Sequence, residues 1–254
     1  MEANEDKELR GKVALVTGAA RNMGRAFAQA LARAGADVVV HHHGEGSRAD
    51  AEETARLVGA EGTRALVTQA DLARVADVRR LFEHAKAAFD RLDIVVNNAG
   101  VIVKKPFVEI TEEDYDRFGI NAKGAFFVMQ EAARVIADGG RIINMGTTLL
   151  AATTAFYSVY AGSKAPLEDF TRALAREIGA RGVTVNTVAP GPVDTAFYHE
   201  QETAQSTAYA TQASVAKRLG TVEDIVPIVE FLASPRSQWV TAQTIFVNGG
   251  YLAR

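Results

Sequence analysis

The sequence predicts an α/β fold: a doubly wound, seven-stranded parallel sheet with helices on both faces. Three observations predict it. Short apolar segments rich in Val and Ile alternate with longer amphipathic stretches along the 254-residue chain, the pattern of repeated βα units. The apolar segments are near-continuous, as strands covered on both faces are. The glycine- and asparagine-bearing loops follow the strands, at the carboxyl ends where such sheets bind ligands.

The strands are expected at Val13–Thr17, Asp37–His41, Ala65–Gln69, Asp93–Asn97, Arg141–Met145, Thr184–Val188 and Thr244–Val247. Between them, Met23–Ala34 is Ala-rich and stops before Gly35, a helix-ending residue. A second helix opens at Ser47, with Asp50 three residues on as a variant capping box, and runs to Gly59. Val75–Phe89, Thr111–Ala137, Ser158–Ala180 and Thr221–Ala233 complete the helices, and Thr111 with Asp114 is a second capping signature. Right-handed crossovers then wind the sheet on both sides. Residues 1–10 are expected to be a flexible acidic tail and 11–254 one domain. The stretch Val193–Leu219 has no clear periodicity but holds Phe197, Tyr198, His199 and Tyr209. It fits either a substrate cover or a surface excursion.

Composition excludes several function classes. Apolar residues make up 48% and charged residues 23%, as in an ordinary globular protein. A net charge of −3 without a basic run argues against nucleic acid as a partner. There is no cysteine, so thiol catalysis, disulfides and thiolate metal sites are ruled out. No apolar run approaches a membrane span, and the opening MEANEDKELR is unlike a secretory leader. The expectation is a cytoplasmic protein without a membrane partner.

TGAARNMG, Thr17 to Gly24, joins the first strand to the first helix. A Rossmann-type turn needs glycine for tightness, for close approach to pyrophosphate and for helix packing, and Gly18 and Gly24 meet two of these needs. Asn22 stands where a third glycine is expected. Asn tolerates a left-handed backbone, so the turn can survive it. The following helix start, with Met23, offers N–H groups to phosphates. Arg21 can reach an adenosine 2′-phosphate, or it is a solvated charge at a helix start. The second strand ends in His41, His42 and His43 instead of the acid that holds a 2′-hydroxyl in NAD sites. Both features favour NADP(H) over NAD(H); Glu45, folded back, would oppose it. The three histidines point alternately to opposite faces, so no metal is assigned to them. Their partial positive charge would suit a 2′-phosphate.

Of the six tyrosines, only Tyr160 has a lysine four residues on, in YAGSK. On a helix, Tyr160 and Lys164 share a face. A phenol near pKa 10 is a poor base, and a nearby ammonium favours its ionised form. NNAG (Asn97–Gly100), NMGTT (Asn144–Thr148) and APGPVDT (Ala189–Thr195) follow the fourth, fifth and sixth strands.

This ordered set resembles the short-chain dehydrogenase/reductase family, and is similar to its 3-oxoacyl-carrier-protein reductases, from about Gly11 to the C-terminus. The resemblance implies an NADP(H)-dependent oxidoreductase acting on a ketone or secondary alcohol. Tyr160 would exchange the proton, and Lys164 would lower its pKa and hold the nicotinamide ribose. Thr147 stands where the family usually has serine, 13 residues before the tyrosine; it keeps the hydroxyl but adds a methyl. Asn121, in NAKG, would hold a water of the proton relay. Asp71 would contact adenine beside Leu72, and Asn98, Ala99 and Gly100 would line the adenosine side. Pro190, Gly191, Val193 and Thr195 would frame the nicotinamide. The resemblance further implies a homotetramer built across the last strand and the helix Thr221–Ala233, with the helices carrying Asn121 and Tyr160 as a second interface and Phe126–Phe127 either there or in the core.

Two other readings stay open at this level. One is an NAD(H)-dependent alcohol, sugar or steroid dehydrogenase. The other is a catalytically silent dinucleotide sensor, to which Asn22 and Thr147 give a foothold. Lys104, Lys105 and Arg134 could form a basic patch for an acidic carrier protein if they cluster.

Overall fold

The computed structural model describes residues 7–152 and 154–253. Seven parallel strands lie in the order β3-β2-β1-β4-β5-β6-β7: β1 Val13–Val16, β2 Asp37–His42, β3 Ala65–Gln69, β4 Ile94–Asn97, β5 Arg141–Met145, β6 Thr184–Pro190 and β7 Thr244–Val247. Winding reverses between β1 and β4, which opens a crevice at their carboxyl ends.

Strand alternation builds two cores. Ala14, Val16, Val38, Val40, Ile94 and Val96 face one side, against Phe27 and Leu31 of α1 (Asn22–Arg33), Val58 of α2 (Arg48–Ala60) and Ile225, Val229 and Leu232 of α10 (Val222–Ala233). Val13, Leu15, Val39, Val95 and Ile142 face the other, against Leu81 and Phe82 of α3 (Val75–Phe89), Val128 of α5 (Ala125–Val135) and Ala175 of α7 (Pro166–Ile178). Every residue of β1 is therefore buried, each Val or Leu contributing about 2 kcal/mol of transfer free energy.

Several expected elements differ. Thr111–Ala137 is not one helix. Its first part is α4 (Glu112–Arg117), capped as expected by Thr111, whose hydroxyl accepts from the Asp114 N–H at 3.1 Å. A widened turn at Ile120–Gly124 then leads into α5. Ser158–Ala180 divides into α6 (Ser158–Lys164) and α7, because Pro166 has no N–H to continue the ladder. The stretch Val193–Leu219, without clear periodicity in sequence, contains α8 (Ala196–His199) and α9 (Ala204–Ala213). Ser47 does not cap α2; its hydroxyl donates to the Gly44 carbonyl at 2.9 Å.

Of the acidic tail expected at residues 1–10, residues 1–6 lie outside the described residues. Residues 7–10 are anchored: Leu9 is buried and donates its N–H to Ala34 at 2.8 Å, and Lys7 reaches the Glu61 carbonyl at 2.7 Å. Among the described residues, no helix is long and apolar enough to cross a membrane.

Candidate active site

A cleft of about 660 Å³ occupies the β1/β4 crevice. Its floor is sewn from two loops. Thr17 Oγ1 accepts the main-chain N–H groups of Asn98 (2.9 Å) and Ala99 (3.0 Å), and Asn98 Nδ2 donates to the Thr17 carbonyl at 2.9 Å. Asn22 has φ 50, the left-handed conformation its residue type allows. Gly24 admits no side chain, since a Cβ there would lie 2.1 Å from the Gly18 oxygen. No side chain caps α1, and Arg21, Asn22, Met23 and Gly24 line the cleft, so the helix start can receive an anion.

The histidines after β2 differ from one another. His41 Nδ1 accepts the Gly18 N–H at 2.9 Å, and its Nε2 lies 2.9 Å from the Ala70 carbonyl, to which it must donate. Burial lowers its pKa to about 4. His41 is thus a neutral clamp between β1, β2 and β3, and not the positive charge expected beside a phosphate. His42 is also buried, with Nδ1 3.1 Å from the Gly44 oxygen. His43 is exposed, 3.8 Å from Asp71. All three border the cleft. Glu45 is turned outward to Arg48 at 3.0 Å. Gly44, Gly46 and Ser47, none of them expected at the cofactor site, also line the cleft. Asp71, Leu72, Asn98, Ala99 and Gly100 line the cleft.

At the other end stand Tyr160 and Lys164, one turn apart on α6 and both buried. Burial pushes the Tyr160 phenol up to about 12, against the neighbouring Thr147 hydroxyl, which favours ionisation. Burial also lowers Lys164 to about 8, and its Nζ donates to the Met145 carbonyl at 2.8 Å. The only group that opposes the rise of the phenol is Thr147; the lowering that the resemblance implies for Lys164 does not act in this arrangement.

Asn121 sits in the widened turn Ile120–Gly124, a feature frequent at functional sites. Both amide hydrogens are engaged: Nδ2 donates to Val101 O (2.9 Å) and Ser163 Oγ (3.0 Å), and Oδ1 accepts the Val101 N–H (2.9 Å). The side chain thereby fixes the loop after β4 against α6. Gly100 permits this packing; a Cβ there would lie 2.9 Å from Asn121 Oδ1 and 3.3 Å from Lys164 Nζ.

Pro190, Gly191 and Val193, expected to frame the nicotinamide, do not themselves line the cleft. β6 runs two residues beyond the expected Val188, so the turn closes on the end of β7: Gly191 donates to Val247 at 3.0 Å. Gly191 and Val193 border a separate cavity of about 230 Å³. Of that loop, Thr195 reaches the cleft, followed by Phe197 and Glu200 on the segment after it. Phe197 belongs to the aromatic stretch that fits a substrate cover, whereas Glu200 and Arg117, which also lines the cleft, carried no sequence signal. Among the described residues no group of three His, Asp or Glu side chains could hold a metal ion.

A family model described as enoyl-(acyl carrier protein) reductase matches residues 18–252. A short-chain type dehydrogenase/reductase of Picea abies is 42% identical over 253 residues, covering 95% of this chain and 93% of that protein. A putative dehydrogenase from Burkholderia cenocepacia, solved with bound NADP, is similar with a TM-score of 0.94 and 43% identity over 99% of this chain and 97% of that one. The angucycline C-6 ketoreductase LanV, also solved with bound NADP, gives a TM-score of 0.89 at 38% identity, covering 96% and 97% of the two chains.

Proposed function

The chain belongs to the short-chain dehydrogenase/reductase family, and from that premise we propose that it is an NADP(H)-dependent oxidoreductase interconverting a ketone and a secondary alcohol, with Tyr160 as acid/base. The observation that carries the reading is that Tyr160 and Lys164 stand one helical turn apart, both buried and both lining the cleft, with Thr147 beside the phenol.

The residues present fit the cofactor. The left-handed Asn22 shapes the turn, the bare Gly24 lets α1 pack against the Gly18 carbonyl, and the uncapped start of α1 is suited to a pyrophosphate. Arg21 at the rim, together with the lack of an inward acid after β2, suits a 2′-phosphate. Similar structures that hold NADP support the same choice. Asp71, Leu72 and Asn98 to Gly100 would take the adenosine side, and Thr195 the nicotinamide side. When bound, NADPH supplies the hydride.

The chain's own groups supply the rest. Thr147 and Tyr160 hydrogen-bond the ketone oxygen, and Tyr160 gives up its proton as negative charge develops there. A phenol held at about 12 by burial is protonated at neutral pH, which suits reduction. Lys164 steadies the phenolate left behind and holds the nicotinamide ribose. Asn121 positions the Gly100–Val101 loop against α6. Residues 196–213 cover the site within a single domain, and the subunits assemble as a homotetramer.

The test is a fluorescence titration with NADPH and NADH, followed by a ketone screen with wild type and Tyr160→Phe. NADPH bound at least about tenfold tighter, with turnover about 100-fold or more lower in the variant, is expected. Unchanged turnover in Tyr160→Phe would sink the assignment.

A further inference from the structure

We propose that Glu202 latches residues 196–213 shut over Tyr160, and that the latch restricts the enzyme to compact, untethered ketones. The proposal rests on the reductase reading above.

Three chain segments meet at Glu202. Its carboxylate accepts Lys104 Nζ at 2.5 Å and the Tyr157 hydroxyl. Lys104 lies in the loop after β4, Tyr157 directly before α6, and Glu202 between α8 and α9. A second bond, from the Lys104 N–H to Gln201 Oε1 at 3.0 Å, repeats the join. The Glu202 side chain is 6% exposed. Burial alone would raise its pKa, but hydrogen bonds from Lys104, Ser206 and Tyr157 outweigh that and hold it below the ordinary carboxylate value. A buried carboxylate kept ionised by two distant segments works as a fastener. Removing its charge leaves Lys104 uncompensated and frees the segment.

The latch lies one ring from the chemistry. Tyr157 packs 6.1 Å from Tyr160, centroid to centroid, in a cluster with Phe118, Val101 and Leu149. Tyr160, Thr195, Phe197 and Glu200 all line the cleft. With the latch closed, a substrate at Tyr160 shares this space with the segment, and a long tether would have to cross it.

The charges agree. Lys104, Lys105 and Arg134 were the candidates for a basic docking patch. Each is already paired, with Glu202, Asp114 and Glu131 respectively. Glu200 adds negative charge at the cleft mouth. An acidic carrier protein would meet little here to attract it.

The test uses the full-length protein with NADPH, as wild type, Glu202→Gln and the milder Tyr157→Phe. Amide hydrogen exchange is followed over residues 197–210. Turnover is compared between a decalone, as compact ketone, and the acetoacetyl thioester of an acyl carrier protein. In wild type we expect a preference for the decalone of about tenfold or more in kcat/KM. In Glu202→Gln, exchange should rise about tenfold and the preference should shrink, with NADPH affinity unchanged. Tyr157→Phe should move both in the same direction by less. Unraised exchange with normal turnover overturns the latch. A wild-type preference for the thioester, or raised exchange with an unchanged preference, overturns the substrate class. Silence toward both substrates with raised exchange overturns the reductase reading, and the substrate class with it, and upholds the latch.

Discussion

The main-chain N–H of Gly18 donates to Nδ1 of His41 at 2.9 Å, so the turn that opens the cofactor cleft hangs on a neutral imidazole. Burial holds that ring at a pKa of about 4 against an ordinary value of 6.5. The unfolded chain therefore binds a proton between these pH values that the folded chain refuses. Stability is full above about pH 6.5 and is lost as pH falls toward 4, by about 3 kcal/mol at the limit. Urea unfolding of wild type and His41→Gln across this range checks it. The difference between them should narrow as pH falls, and a pH-independent difference would count against the clamp.

Asn22, at φ 50, sits in a conformation that costs most side chains about 1 kcal/mol. Asn22→Ala should lose about that much stability, while Asn22→Gly should lose none and bind NADPH at least as well. Denaturant midpoints and a fluorescence titration of both variants provide the comparison. Equal stability of the two variants would show that the turn does not impose the left-handed backbone.

Arg21 lines the cleft beside a β2 end without an inward acid, its neighbour Glu45 being paired with Arg48. A guanidinium on a 2′-phosphate contributes about 1.5–3 kcal/mol. Arg21→Ala should weaken NADPH by about tenfold or more and leave NADH nearly unchanged. Equal loss for both cofactors would move the role of Arg21 to the pyrophosphate they share.

The strands were legible because burial on both faces leaves continuous Val and Ile runs, and Asn22 because its residue type already tolerates the backbone it adopts. The parts that escaped depend on distant partners. The widened turn at Ile120–Gly124 goes with the bonds of Asn121 to Val101, 20 residues away. α9 buries only Ala210, so it carries no amphipathic stripe to read. Glu202 meets Lys104 across 98 residues, a pairing without local signal. Nothing in the local sequence says that β6 continues through Pro190 to meet β7, so the second cavity beside Gly191 and Val193 was not legible.

Trp239, in the approach to β7, is 98% exposed and is the only tryptophan in the chain. Phe126 is 39% exposed on α5, packed edge-on against Phe127 and Phe170, while Phe127 turns toward the core. A proposed tetramer would cover the Trp239 surface. Light scattering at micromolar concentration should give four times the chain mass, with Trp239 emission shifting to the red on dilution. A monomer mass would remove the tetramer from the proposal.

Lys164 is held near pKa 8 by burial, with its ammonium bonded to the Met145 carbonyl. Reduction needs that ammonium to steady the phenolate that Tyr160 leaves behind. Tyr160 itself, near 12, stays protonated throughout. Ketone reduction at saturating NADPH should therefore fall as pH rises through about 8. The limb should report the lysine and not the tyrosine. Lys164→Arg keeps its charge to far higher pH, so its residual activity should lose the limb; Lys164→Met should be slow at every pH. A limb that persists unchanged in Lys164→Arg would assign it to another group.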